Sequence, residues 1–244
     1  MTLAIDELET RRFGIRCARF DGLDSRFPDL AETERQARAQ GVRLVTVRVD
    51  VAALPRVHAL EGAGYRLMDT LVYYGRSLSP LPETPPLPEG VSLRPAVPED
   101  ATEVAQVAAA AFRGYLGHYH ADPRLDNAAA DAAYVQWAQT GTATAGSQNP
   151  VLLALTGGRV SGFLSLRLNT PQEAEIVLNG VHPDRQRGGL YSALLHAAMG
   201  LAAGLGAGEM IVSTQINNYA VQKVWSRAGL VHRQSRYTFH RWYD

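Results

Sequence analysis

The 244-residue chain has one cysteine, Cys17. No internal disulfide can form, and thiols offer no zinc-ligand spacing; Cys17 reads as a small buried hydrophobe. Basic charge is not in excess either, since 24 Lys plus Arg balance 24 Asp plus Glu. That balance argues against holding a nucleic-acid backbone through many phosphates, although local basic clusters can still grip a small anion. No stretch reaches about 18 consecutive apolar residues, so no membrane span is expected. The apolar run Leu194–Leu205 is broken by His196, Gly200 and Gly204 and reads as a packed helix. The opening MTLAIDELET lacks the charged head and apolar centre of a signal peptide. The expectation is a cytoplasmic globular protein with no nucleic-acid, membrane or metal partner; its 46% hydrophobic residues are enough for a real core.

What is present divides into two units. SPLPETPPLPEG, residues 79–90, holds five prolines in twelve residues and reads as an extended connector. Residues 1–78 before it read as a small α/β half-domain. There a helix is expected over Leu30–Gln40, a strand over Val42–Val49, a helix over Arg56–Ala63 and a strand over Tyr65–Tyr74. Residues 91–244 form the larger unit. Their pattern predicts a strand at Val91–Arg94, helices at Ala101–Phe112 and near Ala128–Gln139, and strands at Val151–Thr156, Ser161–Leu168 and Ala174–Val181. A long helix over Leu190–Leu205 follows, then a strand at Met210–Ile216, a helix at Ala220–Ala228 and a strand at Tyr237–Tyr243. This order fits an α+β domain with a mixed, mostly antiparallel sheet flanked by helices. HALEGAGYRLMDTLVYY from His58 and KVWSRAGLVHRQSRYTF from Lys223 share helix, Ala-Gly and aromatic strand. The echo suggests duplicated halves, although helix–Gly–strand is also a common unit.

The segment carrying the clearest chemistry is VLNGVHPDRQRGGLYSALL, from Val177 to Leu195. A buried strand ends, a Pro-Asp turn follows, and consecutive glycines open an amphipathic helix. Backbone N–H groups and the positive helix end make an anion cradle there, with Arg185 and Arg187 at hand for phosphates. Taken alone the turn is weak evidence, because ordinary strand-to-helix turns use glycine too. Gln186 through Tyr191 resembles the pyrophosphate loop of the GNAT acetyltransferase family, with Gly189 at the central glycine and Tyr191 where the family has Gly or Ala. Asn218 through Leu230 resembles the family's second signature, with Ala220 one place early and Trp225 where a Tyr is usual.

The resemblance implies a GNAT fold and an enzyme passing the acetyl group of acetyl-CoA to an amine, with no metal. It implies backbone contacts to the pantetheine arm from Leu178, Asn179 and Val181. It places the phosphates on Gln186, Arg187, Gly188 and Gly189, with Leu190, Tyr191, Ser192 and Asn218 completing the acetyl-CoA site. Tyr119, Asn217 and Trp225 are expected on the acceptor side, Asn217 and Asn218 reading equally as turn and cap residues. Glu175, His118 and His120 are the candidates for a general base, each also readable as a solvated surface group. An indole at Trp225 cannot act as the usual phenolic acid, so either another residue such as Tyr191 or Tyr219 supplies the proton or the thiolate leaves without help. The two-unit plan and the loop 111–137 look like bacterial sugar-nucleotide N-acetyltransferases, so the amino group of a nucleotide-linked amino-deoxy sugar is the first acceptor expected. Another small amine, a peptide N-terminus, or acyl-CoA binding without catalysis are the alternatives. A homodimer is left open.

Overall fold

The computed structural model describes residues 3–21, 27 and 29–244. In chain order the strands and helices are β1 (Ala4–Ile5), α1 (Glu7–Phe13), β2 (Cys17–Asp21), α2 (Leu30–Ala39), β3 (Leu44–Asp50), α3 (Leu54–Gly62) and β4 (Arg66–Ser77). After the connector come β5 (Val91–Pro95), α4 (Ala101–Ala111), α5 (Asn127–Ala143), β6 (Val151–Thr156), β7 (Arg159–Thr170) and β8 (Glu173–Val181). The chain closes with α6 (Leu190–Gly204), β9 (Glu209–Gln215), α7 (Tyr219–Arg227) and β10 (Val231–Trp242). The elements anticipated from periodicity are all present. β1, α1 and β2 were not anticipated, and β10 starts at Val231 rather than Tyr237. The early part of β10, VHRQSR, has no apolar alternation; it becomes strand because β4 supplies its hydrogen bonds.

All ten strands form one sheet in the order β1-β2-β3-β10-β4-β9-β8-β7-β6-β5. Only β2–β3 and β8–β9 run parallel, so the sheet is mixed and mostly antiparallel. The order shows an exchange. β4, from before the connector, lies between β9 and β10, while β10, from the chain's end, pairs with β3. Each half therefore lends its last strand to the other.

The exchange is symmetric in detail. Leu71 pairs with Gln215 across β4–β9, and Arg236 pairs with Asp50 across β10–β3. Leu71 to Arg236 and Asp50 to Gln215 are the same interval along the chain, and so are the matched features that follow. Gly64 and Gly229, which close α3 and α7, have φ of 78° and 79°. Arg241 of β10 donates to the Gly64 carbonyl at 3.3 Å, while its equivalent Arg76 of β4 donates at 2.7 Å to the Ala228 carbonyl, one residue before the equivalent glycine. A Cβ on either glycine would meet that guanidinium at under 3 Å, 2.6 Å at Gly64 and 2.8 Å at Gly229. Tyr74 packs on Trp225 in the core of the C-terminal half, and its counterpart Phe239 is buried in the core of the N-terminal half. The echo between the two sequence segments thus corresponds to a repeated, strand-exchanged unit.

Among the described residues four hydrophobic clusters hold the sheet, the smallest of them Cys17, Leu44 and Leu125. In the N-terminal half, Ala37, Val45, Leu60 and Phe239 pack together. In the C-terminal half, α6 and α7 cover one face through Leu194, Met199 and Trp225, while α4 and α5 cover the other through Val104, Tyr134 and Phe163. Thr214 and Gln215 of β9 and Thr238 and His240 of β10 are the buried polar residues of the sheet's central strands.

Candidate active site

β8 and β9 are hydrogen-bonded only from Glu173↔Glu209 to Ile176↔Val212. Beyond that point β8 runs on to Val181 and β9 to Gln215 without pairing with each other. The splay starts where β8 bulges: Leu178 opposes Ser165 and Ile176 opposes Leu166 on β7, leaving Val177 as the extra residue. A bulge of this kind bends its strand and turns backbone groups out of the ladder. The Leu178–Val181 segment, expected to meet a pantetheine arm, lines this opening. A cleft of about 180 Å³ adjoins the bulge on the α5 side, walled by Trp137, Ser165, Arg167 and Val177.

At the end of β8 the chain makes a short 3-10 turn, Pro183–Arg185, and then reaches Arg187 at φ 67° and Gly189 at φ 80°. Gly189 caps α6 with no side-chain hydrogen bond. The first-turn N–H groups of a 15-residue helix are therefore uncapped by any side chain and face an exposed loop. Gln186 braces the loop by donating to the Val181 carbonyl at 3.3 Å. Gln186, Arg187, Gly188 and Gly189 are exposed around this cradle, Ser192 is half-buried in the first turn, and Leu190 is buried beneath it. No group of three or more His, Cys, Asp or Glu suited to a metal occurs among the described residues.

Trp225 and Tyr191 are joined differently from the sequence expectation. Trp225 is 1% exposed and its indole N–H donates to the Tyr191 hydroxyl at 2.8 Å. Burial pushes the Tyr191 phenol well above its ordinary pKa, with the Trp225 hydrogen bond opposing only in part. The pair ties α6 to α7 as core structure, while Tyr219 is 66% exposed. Asn218 donates to Thr214 at 3.1 Å, fixing the turn after β9, and Asn217 is exposed beside it.

The base candidates lie in separate places. Glu175 sits where β8 and β9 still pair, and is bound by Arg167 at 2.6 Å and Asn169 at 3.0 Å. His120 contacts Asp131 at 3.1 Å. Tyr119 turns towards α1, donating to Glu9 at 2.7 Å. His118 is buried, its Nδ1 lying 2.9 Å from Nε2 of His240, whose Nδ1 lies 2.8 Å from Asp122. Burial would raise the Asp122 pKa, but hydrogen bonds from His240, Trp242 and the Arg124 amide outweigh it and hold the carboxyl at about 2. An ionised Asp122 accepts only, which makes His240 Nδ1 the donor of that bond and joins His118, His240 and Asp122 in one chain. Burial first and then the neighbouring His240 depress the His118 pKa well below that of a free imidazole, so His118 is neutral.

Other residues at the open end of β9 carried no motif in the sequence. Tyr115 donates to Gln215, and Gln215 donates to Asp69 of β4 at 3.2 Å. Gly117 lies against the same group, since a Cβ there would meet the Tyr134 hydroxyl at 2.5 Å. Asp69 Oδ1, Thr238 Oγ1 and Arg48 Nε are buried with no hydrogen-bond partner. Each such atom costs about 1–3 kcal/mol, so three together stand out. Only the exchange of β4 and β10 brings them side by side.

Comparison with known proteins agrees with this geometry. The family model for the acetyltransferase (GNAT) family matches residues 118–230. A mycothiol acetyltransferase of Actinosynnema mirum is 32% identical over 168 residues, which is 68% of this chain; the chain spans about half, 53%, of that relative's length. Among solved structures, a GCN5-related N-acetyltransferase from Sphaerobacter thermophilus matches 98% of this chain and 76% of its own at TM-score 0.69 and 18% identity. A tandem GNAT protein from the clavulanic acid biosynthesis pathway matches 87% of this chain and 68% of its own at TM-score 0.62 and 14% identity. The chain has the GNAT fold, and its segment 118–230 matches the family model of the acetyltransferase (GNAT) family.

Proposed function

We propose that this protein is an acetyl-CoA-dependent N-acetyltransferase acting on a small amine. The observation that carries the reading is the coincidence of the β8–β9 splay, the Val177 bulge and the bare N-terminus of α6 along one path. The α6 amides and Gln186–Gly189 hold the pyrophosphate, and the unpaired edge of Leu178–Val181 orients the arm. Acetyl-CoA, when bound, supplies the thioester whose carbonyl carbon gains a C–N bond while its C–S bond breaks. Backbone N–H groups at the bulge polarise the carbonyl, a contribution of the oxyanion-hole type. The amine attacks in its neutral form, and its proton leaves to a nearby acceptor. Trp225, already donating to Tyr191, gives no proton to the thiolate. General-acid help is worth about 10²–10⁴-fold, so turnover without it is slower rather than absent.

For the acceptor, the amino group of a nucleotide-linked amino-deoxy sugar fits the aromatic and Arg-bearing loop 111–137. The name of the Actinosynnema relative puts a mycothiol-type acceptor beside it. Thiol release from acetyl-CoA over a panel containing both classes tests the reading. Release that depends on an amine supports it. Tight acetyl-CoA binding with no release on any amine would instead favour an acyl-CoA-binding module, the reading that the Trp225–Tyr191 bond favours.

A further inference from the structure

We infer that Arg48, Thr238 and Asp69 form a recognition site for an acceptor that carries an anionic group as well as its amine. The inference rests on the transferase reading and specifies its substrate class. Thr238 of β10 pairs with Arg48 of β3 on one side and with Asp69 of β4 on the other. Directly paired residues share a face, so the three stand in one row. Thr238 is 0% exposed, and all three present a buried polar atom with no hydrogen-bond partner. Arg48 and Asp69 carry opposite charges but form no ion pair with each other, being two strand spacings, about 10 Å, apart. β4 bulges at Met68, beside Asp69, where the register shifts between Thr238↔Asp69 and Phe239↔Leu67.

The fold does not require such a row. The symmetric counterpart, by the same repeat that relates β4 to β10, is Ser213–Tyr73–Gln234, which carries no charge. Only one of two equivalent rows has been made into an acid and a base held apart. That arrangement complements a molecule with an ammonium at one end and an anion at the other. The two ends are ordered with respect to the chemistry. Asp69 accepts from Gln215 at the open end of β9, so the amine lies at the splay. Arg48 lies on the far side of Thr238 and takes the anion. Tyr115 donates to the same Gln215 that donates to Asp69, and the Tyr134 ring packs edge-on against Tyr115 at 5.4 Å, so both phenols border this end of the row.

The test uses two matched pairs, glucosamine 6-phosphate with glucosamine and β-alanine with propylamine, in the acetyl-CoA thiol-release assay. The expected result is a kcat/KM at least about tenfold higher for an anionic member than for its neutral partner, the phosphate and carboxylate pairs showing which anion is preferred. Arg48→Gln should bring that ratio towards one through KM while acetyl-CoA affinity stays as in the native protein. A ratio near one in the native protein, or a ratio untouched by Arg48→Gln, would overturn the inference. If no amine releases thiol, the transferase reading fails, and calorimetric binding of the same four compounds decides this one. Binding of an anionic member that Arg48→Gln abolishes sustains it; no preference for either member overturns it. Thr238→Val provides the check on folding. A site maintained for a ligand predicts an unchanged or higher melting midpoint with weaker acceptor binding, whereas a lower midpoint with unchanged acceptor binding would mark the row as structural and sink the proposal.

Discussion

The two halves of the molecule use one plan and treat its helix N-terminus in opposite ways. In the N-terminal half, β2 pairs with β3 along all five of its residues, and the Asp29 carboxylate caps α2 by accepting from Ala31 and Glu32. In the C-terminal half, the corresponding β8 and β9 separate after Ile176↔Val212, and α6 begins at a bare glycine. A carboxylate already occupies the helix N-terminus of the first half, while the second leaves its first-turn amides uncapped by any side chain. One half has become scaffold and lends β4; the other keeps the gap.

The largest expected effect tests whether the halves are one folding unit. Leu60 of α3 and Trp225 of α7 are equivalent positions in the repeat, 0% and 1% exposed. Trp225→Ala should cost about 3–5 kcal/mol and Leu60→Ala about 2–5 kcal/mol. Because the last strands are exchanged, calorimetry should show a single transition that either substitution lowers. Two transitions, each moved by only one of them, would break the comparison.

Next in size, Gly189→Asp copies the Asp29 arrangement onto α6. It places a side chain at φ 80° and a negative charge in the cradle. Acetyl-CoA affinity should fall about 100-fold, roughly 2.8 kcal/mol. Isothermal titration checks this, and undiminished binding would remove the cradle from the proposed site.

The Asp122–His240–His118 chain exists on one side of the sheet only. The Asp122 pKa is depressed to about 2 from an ordinary value near 3.8. A depressed carboxyl stabilises the folded state above its unfolded pKa and loses that contribution as pH falls through the folded one. The contribution should be about 2–3 kcal/mol at neutral pH and vanish between about pH 4 and pH 2. Asp122→Asn should therefore lower stability at pH 7 and flatten the acid limb in urea titrations. An acid limb identical to the native one would show that the carboxyl is not held.

The smallest effect sharpens the contrast from the other half. Asp29→Ala should destabilise by about 1 kcal/mol, the ordinary value of an N-cap, and leave acetyl-CoA affinity unchanged. A change in that affinity would mean that the N-terminal half contributes to the ligand site after all.

Much of this was legible in the sequence for local reasons. Periodicity disclosed the helices from α2 onward and the apolar strands, and the paired glycines after Arg187 disclosed the turn that opens α6, because φ > 0 is a demand of the residue itself. The Ala-Gly echo at Ala63-Gly64 and Ala228-Gly229 disclosed the repeat for the same reason. β1 and β2 escaped because they are short, and the start of β10 because its residues are polar. Val177 escaped as well, since a bulge is defined by what lies opposite on β7.

By itself, then, the sequence determined the order of elements from α2 onward, the glycine turn that opens α6 and the paired Ala-Gly turns, all of which follow from neighbours a few residues apart. Only the tertiary structure decided which half's strand each sheet receives. That decision buried Trp225 against Tyr191 and Tyr74, joined His118 to His240 and Asp122, and lined up Arg48, Thr238 and Asp69. The physical reason is that strand pairing satisfies backbone hydrogen bonds with whichever partner buries the most apolar surface, and that partner is set by long-range packing rather than by local pattern.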